Sequence, residues 1–186
     1  MAVGDDSGPR DAVSVLGLNA AVREAHEKRN KQRARSGRGM GIAFVEYHDT
    51  LSAGVAEVSV NRGTGAIKVH NYWIAVDPGL VIQPENTHAQ LESAVAYGLS
   101  AALIEELTIK GGAVQQNNFY TYRVLRMSDM PEIHTRIVAS GAPPTGMGEI
   151  GVPSVAPAIA NAVFQLTGKR LRSLPMSPER VKPLLA

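Results

Sequence analysis

The sequence predicts an α+β fold, with a mixed or antiparallel sheet packed by one long central helix and a shorter C-terminal helix. Three observations carry that expectation. Residues 41–79 hold runs of Val, Ile, Tyr, Trp and Phe broken by turn residues, the signature of consecutive strands. Residues 84–107 then place Leu91, Val95, Leu99, Leu103 and Leu107 at four-residue steps, which is a helical period. Finally, strands, a helix, strands and a helix follow one another without the regular alternation of a parallel βαβ sheet.

Along the chain, residues 1–10 are rich in Gly, Pro and Asp and read as a disordered tail or linker. Residues 11–35 carry Val13, Leu16, Ala20 and Ala21 in an amphipathic pattern, ended by Ser36-Gly37-Arg38-Gly39, which sets an expected boundary between a tail with a basic helix (1–36) and the main domain (37–186). Three strands follow in GIAFVEYH and AGVAEVSVNRGTGAIKVHNYWIAVDPG, separated at Asp49-Thr50 and at a hairpin over Asn61-Arg62-Gly63-Thr64-Gly65. Val55, Glu57 and Ser59 alternate with Ala56, Val58 and Val60, so one face is expected to be buried and the other wet or covered by something polar. Gly98 lies inside the long helix, where glycine costs up to about 1 kcal/mol against alanine, so close packing against a strand or a ligand is expected there. Further strands are expected near 113–116, 120–126 and 132–139. A second helix is expected from Ser154 to Leu166, stopped by Gly168, and Pro178 can begin a short last one.

Composition narrows the function. With no cysteine, the chain itself can form neither disulfides nor thiolate sites for zinc or iron–sulfur clusters. Its five histidines give no HxxxH or HExxH spacing, so a metal held by protein ligands is not expected. No run of about 18 apolar residues predicts a membrane span, and the first residues lack the basic start and apolar core of a signal peptide, which leaves a cytoplasmic or periplasmic site open. Arg23, Lys28, Arg29, Lys31, Arg33, Arg35 and Arg38 crowd one stretch, but no aromatic residue interleaves with them; a solvated helix face is expected, and no nucleic-acid partner.

Chemistry concentrates in Gly146-Met147-Gly148-Glu149-Ile150-Gly151, where a single carboxylate stands in a glycine-flanked turn ahead of the second helix. Read from its own residues, Glu149 is most simply a solvated partner of that helix's dipole. The turn is neither a dinucleotide-binding fingerprint nor a Walker loop, since the G-x-G-x-x-G order and Gly-Lys-Ser/Thr are both missing.

QLESAVAYGLSAALIEELTI, NNFYTYRVLRMSDMPEI and PPTGMGEIGVPSVAPAIANAVFQLTGKRLRSLP together resemble the C-terminal part of the molybdopterin-binding large (beta) subunit of the xanthine dehydrogenase and aldehyde oxidase family, in its isoquinoline 1-oxidoreductase type. The likeness covers about residues 37–176, and the GMGE turn is its most specific part. It implies a molybdenum hydroxylase that adds water-derived oxygen to an N-heterocycle or aldehyde and passes two electrons to molybdenum in a molybdopterin dinucleotide. It further implies Glu149 as general base, Gln90 beside the pterin, and Gly146 and Gly148 where backbone approaches cofactor or substrate. Asn118, Phe119, Tyr122 and Arg126 match a family run and read as architectural, with Phe119 and Tyr122 as aromatic packing and Arg126 paired to Asp129 or Glu132; Trp73 reads as core. The chain departs from the family at Tyr120-Thr121, where His-Asp is common, at Ile150 after the glutamate, where proline is usual, and at Pro78, where cysteine occurs.

Family large subunits are several times longer, and their earlier cofactor loops, Gly-Gln-Gly among them, have no counterpart here. The resemblance therefore implies a piece that works with the remainder of the large subunit and an iron–sulfur small subunit, is inactive alone, and self-associates through uncovered apolar surface. The competing expectation is a non-catalytic binding or assembly module of the same ancestry.

Overall fold

The computed structural model describes residues 37–185. The expected tail, amphipathic helix and basic run of residues 1–36 lie outside the described residues, leaving only Arg38 of that run in view.

Strands β1 (Arg38–Tyr47), β2 (Thr50–Val60) and β3 (Ile67–Asp77) form an antiparallel meander, and β6 (Glu132–Ile137) joins β3 in parallel, giving the order β1-β2-β3-β6. Helix α1 (Pro84–Leu103) connects β3 to the segment leading to β6, and α2 (Val155–Thr167) packs across β1 and β2. A two-residue pair, β4 (Ile109–Lys110) with β5 (Ala113–Val114), and a short final helix α3 (Pro178–Val181) complete the fold. The sheet is thus mainly antiparallel with one parallel join, as the order of elements implied.

Strand β2 is the centre of the sheet. Residues 50–58 are buried on both faces, so the second face, expected to be wet or covered, is covered there. Glu57, only 2% exposed, survives because its carboxylate accepts from Asn71 Nδ2 at 2.5 Å and lies 3.6 Å from Arg38 Nη1. Val58, Tyr72, Ile74, Leu91, Val95, Leu99, Val155, Ile159 and Val163 fill the core between the sheet and the two helices. Trp73 is only half-buried and stacks on His134 with ring centroids 5.1 Å apart. The long helix meets α2 at Gly98, where a Cβ would lie 2.6 Å from Val155 Cγ2; close packing is what that glycine permits, against a helix and not a strand.

Two expected elements change. The long helix ends at Leu103, one turn before Leu107, because Ile104 N and Glu105 N both return to Ser100 O at 2.9 Å and Ala102 O is taken by Met176 N at 2.7 Å. Residues 120–126 form no strand. Asn118 Oδ1 accepts from Tyr120 N at 2.9 Å and Thr121 N at 3.1 Å, while Asn118 O accepts from Tyr122 N at 2.9 Å, a local closure that competes with extension. Phe119, expected to pack, is fully exposed, and among the described residues Arg126 forms no ion pair with Asp129 or Glu132. Tyr122 is half-buried, its hydroxyl donating to Glu105 Oε2 at 2.8 Å.

Candidate functional site

The glycine turn is held from three sides. At the tip of the β1–β2 hairpin, His48 and Asp49 take positive φ (49° and 60°), the left-handed pair that a tight two-residue turn demands. This tip meets the loop directly: Gly146 N donates to His48 O at 3.1 Å, and Thr50 Oγ1 donates to Gly146 O at 2.6 Å. The same Thr50 hydroxyl, its proton committed, accepts from Thr145 Oγ1 at 2.6 Å. A Cβ on Gly146 would lie 2.6 Å from His48 Cβ, so that glycine is needed for internal contact, whereas nothing stands within 4 Å of the corresponding point on Gly148.

Below the turn, Ser154 Oγ donates to Gly151 O at 3.3 Å, which leaves Tyr72 as the donor in its 2.8 Å bond to Ser154. Gly54 of β2 makes room for this pair, since a Cβ there would sit 2.0 Å from the Tyr72 hydroxyl. Burial pushes the Tyr72 hydroxyl well above the ordinary phenol range, and the Ser154 bond pulls it partly back. From the third side Gln90, on α1, reaches across 58 residues of sequence to donate from Nε2 to Gly148 O at 2.5 Å.

Glu149 emerges between these supports. Its side chain is exposed, its carbonyl accepts from Val152 N at 3.0 Å, and Tyr47 OH stands 3.4 Å from Oε2. No hydrogen bond joins the carboxylate to the N–H groups opening α2. The structure therefore bonds Gln90 to Gly148, sets the Glu149 carboxylate beside Tyr47 at the end of β1, and packs Gly146 against the neighbouring His48.

Next to Gly148 opens a cleft of about 420 Å³ between residues 78–87, α1 and the loop. Leu80, Ile82 and Met147 supply apolar wall, and Asn86, Thr87 and Gln90 supply polar groups. Its rim is fixed by Leu80 N to Ala142 O and Thr145 N to Pro78 O, both 2.9 Å. Gly79, at φ +72° and with no room for a Cβ beside Pro143 O, permits that approach. A largely apolar cleft with a few convergent amides, and open space over one glycine, suits the edge of a flat heterocyclic ligand. Tyr47, His48, Thr50 and Thr145 were missed by sequence reasoning. Only the turn residues Asp49-Thr50 stood out, and no local pattern tied them to a loop about 95 residues on.

Residues 46–131 match the family of molybdopterin cofactor-binding domains. The chain is 41% identical over 173 residues to the isoquinoline 1-oxidoreductase subunit beta of Brevundimonas diminuta, which covers 93% of this chain and 22% of that protein. It is 38% identical to the membrane-bound aldehyde dehydrogenase [pyrroloquinoline-quinone] of Gluconacetobacter polyoxogenes, over 93% of this chain and 23% of that one. Among solved structures, quinoline 2-oxidoreductase from Pseudomonas putida shares the fold with a TM-score of 0.68 at 23% identity, over 73% of this chain and 18% of that chain. The aldehyde oxidoreductase of Desulfovibrio gigas superposes with a TM-score of 0.66 at 25% identity, over 73% of this chain and 15% of that chain.

The fold and these likenesses mark a molybdopterin cofactor-binding domain of the xanthine dehydrogenase and aldehyde oxidase family, and the chain belongs to that family. It spans less than a quarter of the length of the curated relatives it matches, 22% and 23% of the two named above. Among the described residues no helix is long and apolar enough to cross a membrane.

Proposed function

We propose that this chain supplies the general base and one wall of the cofactor site of a molybdenum hydroxylase acting on an N-heterocycle or aldehyde. The supporting observation is the Gln90–Gly148 bond at an apolar cleft, with the exposed Glu149 the next residue along the loop. When bound, the molybdenum–pterin group supplies the two-electron acceptor for hydroxylation by water. This chain's residues hold and position. Gln90 spends one N–H on Gly148 O; its Oε1 and second N–H make no bond among the described residues and serve the pterin edge. Gly148 lets that edge approach the backbone.

Glu149 takes the proton of the incoming water on a carboxylate oxygen. Such a transfer requires hydrogen-bond reach, about 2.6–3.2 Å, in the productive pose. Tyr47, through its hydroxyl at Oε2, is a positioning residue that leaves Oε1 open to the reacting oxygen. Leu80, Ile82 and Met147 offer the apolar part of the cofactor-site wall.

The chain acts within a larger assembly, with the remainder of the large subunit and an iron–sulfur subunit that carries electrons away, and alone it is inactive. Replacing Glu149 by Gln in the assembled enzyme lowers turnover by about 10²–10⁴-fold, the range of general acid–base catalysis, with molybdenum and pterin content retained. Turnover at the wild-type level with a full complement of cofactor would remove the role.

A further inference from the structure

A second region carries exposed apolar surface that the site does not use. The arm between α1 and β6 presents Leu107, Ile109, Phe119, Tyr120, Val124 and Met127 to solvent, with Phe119 100%, Tyr120 94% and Met127 89% exposed. Single exposed apolar residues are ordinary, but two adjacent aromatic side chains with no cover are not. The arm is also ordered. Its base is closed by Thr108 N donating to Gln116 Oε1 at 2.7 Å, and Leu125 N is fixed to Ser100 Oγ of α1 at 2.9 Å. Between these ties, Asn118 Oδ1 receives the N–H groups of Tyr120 and Thr121, and Tyr122 is anchored through Glu105. Phe119 and Tyr120 thus ride on a knuckle whose backbone is set before anything touches it. Such preorganisation lowers the ordering cost of binding, and exposed aromatic anchors are the residues that dominate interface energies.

We propose that the Phe119–Tyr120 knuckle docks into an apolar pocket of the remaining part of the molybdopterin-binding subunit. The proposal rests on the reading that this chain works inside a larger subunit. The knuckle falls within residues 46–131, the stretch that matches the cofactor-binding domain, yet neither Phe119 nor Tyr120 lines the cleft. The relatives at 41% and 38% identity extend over more than three times as much chain as is matched here. Nothing charged stands among Asn117-Asn118-Phe119-Tyr120-Thr121-Tyr122, so the pocket that receives it is apolar with a few hydrogen-bonding groups at its rim.

A photoreactive replacement tests this directly. The chain, tagged and carrying Phe119→p-benzoylphenylalanine, is irradiated in the complex that it forms in its own cells, and the crosslinked peptides are sequenced by mass spectrometry. The expected crosslink joins position 119 to the polypeptide that brings molybdenum and pterin. In parallel, Phe119→Ala with Tyr120→Ala reduces the molybdenum recovered per tagged chain at least tenfold, with the chain's melting temperature unchanged. If the molybdenum-bearing polypeptide is recovered but position 119 crosslinks only to a second copy of this chain, or to nothing, the knuckle is not the docking surface and the larger-subunit reading stands. If the unsubstituted tagged chain recovers no molybdenum-bearing polypeptide, that reading fails and the docking proposal fails with it.

Discussion

The glycine turn at 145–151 and the arm at 107–130 are both largely irregular and both tied by side-chain hydrogen bonds, yet the ties differ in reach. Beside its local bonds from Val152 and Ser154, the turn is braced from far along the chain: Thr50 and His48 from the first hairpin, Gln90 from α1, and Tyr72 through Ser154 from the third strand. The arm's own knuckle is closed by Asn118 on neighbours two to four residues away. A turn braced by distant elements has its geometry set by the whole fold, which suits the role proposed for Glu149. A locally closed knuckle needs little from the rest of the domain, and it is free to present its aromatic pair outward.

That contrast can be broken most severely at Gly146. Replacing it by Ala puts a methyl group against His48 Cβ and should cost about 1–3 kcal/mol, the usual range for overpacking; the denaturant midpoint measures it. Gly148→Ala, two residues away and facing open space, should leave that midpoint unchanged and lower cofactor retention instead. Equal effects at the two glycines would erase the distinction between the braced side and the cleft side.

A smaller loss is expected at Thr50→Val, which keeps the shape of the side chain but leaves Gly146 O and the Thr145 hydroxyl without their partner. The cost is about 1–2 kcal/mol, and amide hydrogen exchange should quicken over residues 145–150 while the arm stays unchanged. Exchange that rises in both regions alike would mean that the hairpin tip supports the domain generally and not the turn in particular.

The pH dependence of stability probes the brace beneath. Tyr72 has its folded-state ionisation moved upward from 10.0 by burial, against the Ser154 bond. Its contribution is therefore fully present below the ordinary phenol value and declines above it, as the unfolded chain ionises first. Tyr72→Phe should flatten the fall in stability on the alkaline side of pH 10, seen in urea titrations at several pH values. An unchanged slope would assign that fall to other groups. Smallest of all, Phe119→Ala should change the stability of the chain alone by less than about 0.5 kcal/mol, as for an exposed side chain with no partner.

Much of this architecture was readable from pattern. The three-strand meander, the helix from Pro84 and the Gly168 stop with φ +71° follow from alternation, four-residue spacing and glycine's tolerance of left-handed backbone. The resemblance assigned Gln90, Gly146, Gly148 and Glu149 to one site; in the fold Gln90 bonds Gly148, while Gly146 packs against His48. Reading failed where a distant group decided the outcome. Leu107 fits the helical period, but Met176 N takes the carbonyl of Ala102 and the helix ends early. Glu57 fits the polar phase of a half-exposed strand, but Asn71 and Arg38 let it be buried. Phe119 looks like core by residue type, but Asn118 turns the backbone outward beneath it.

By itself, then, the sequence determined the secondary structure of the strong periods, the absence of thiol chemistry and the identity of the single acid in the glycine turn. Only the tertiary structure decided which glycine is needed for internal contact, which hydroxyl stands at the carboxylate and which aromatic pair is left uncovered. The reason is physical: periodicity and turn propensity act over a few residues and are written locally. The room for a Cβ, the partner of a buried carboxylate and the cover over a ring depend on atoms from elements brought together by folding, and no short window of sequence contains both sides of those contacts.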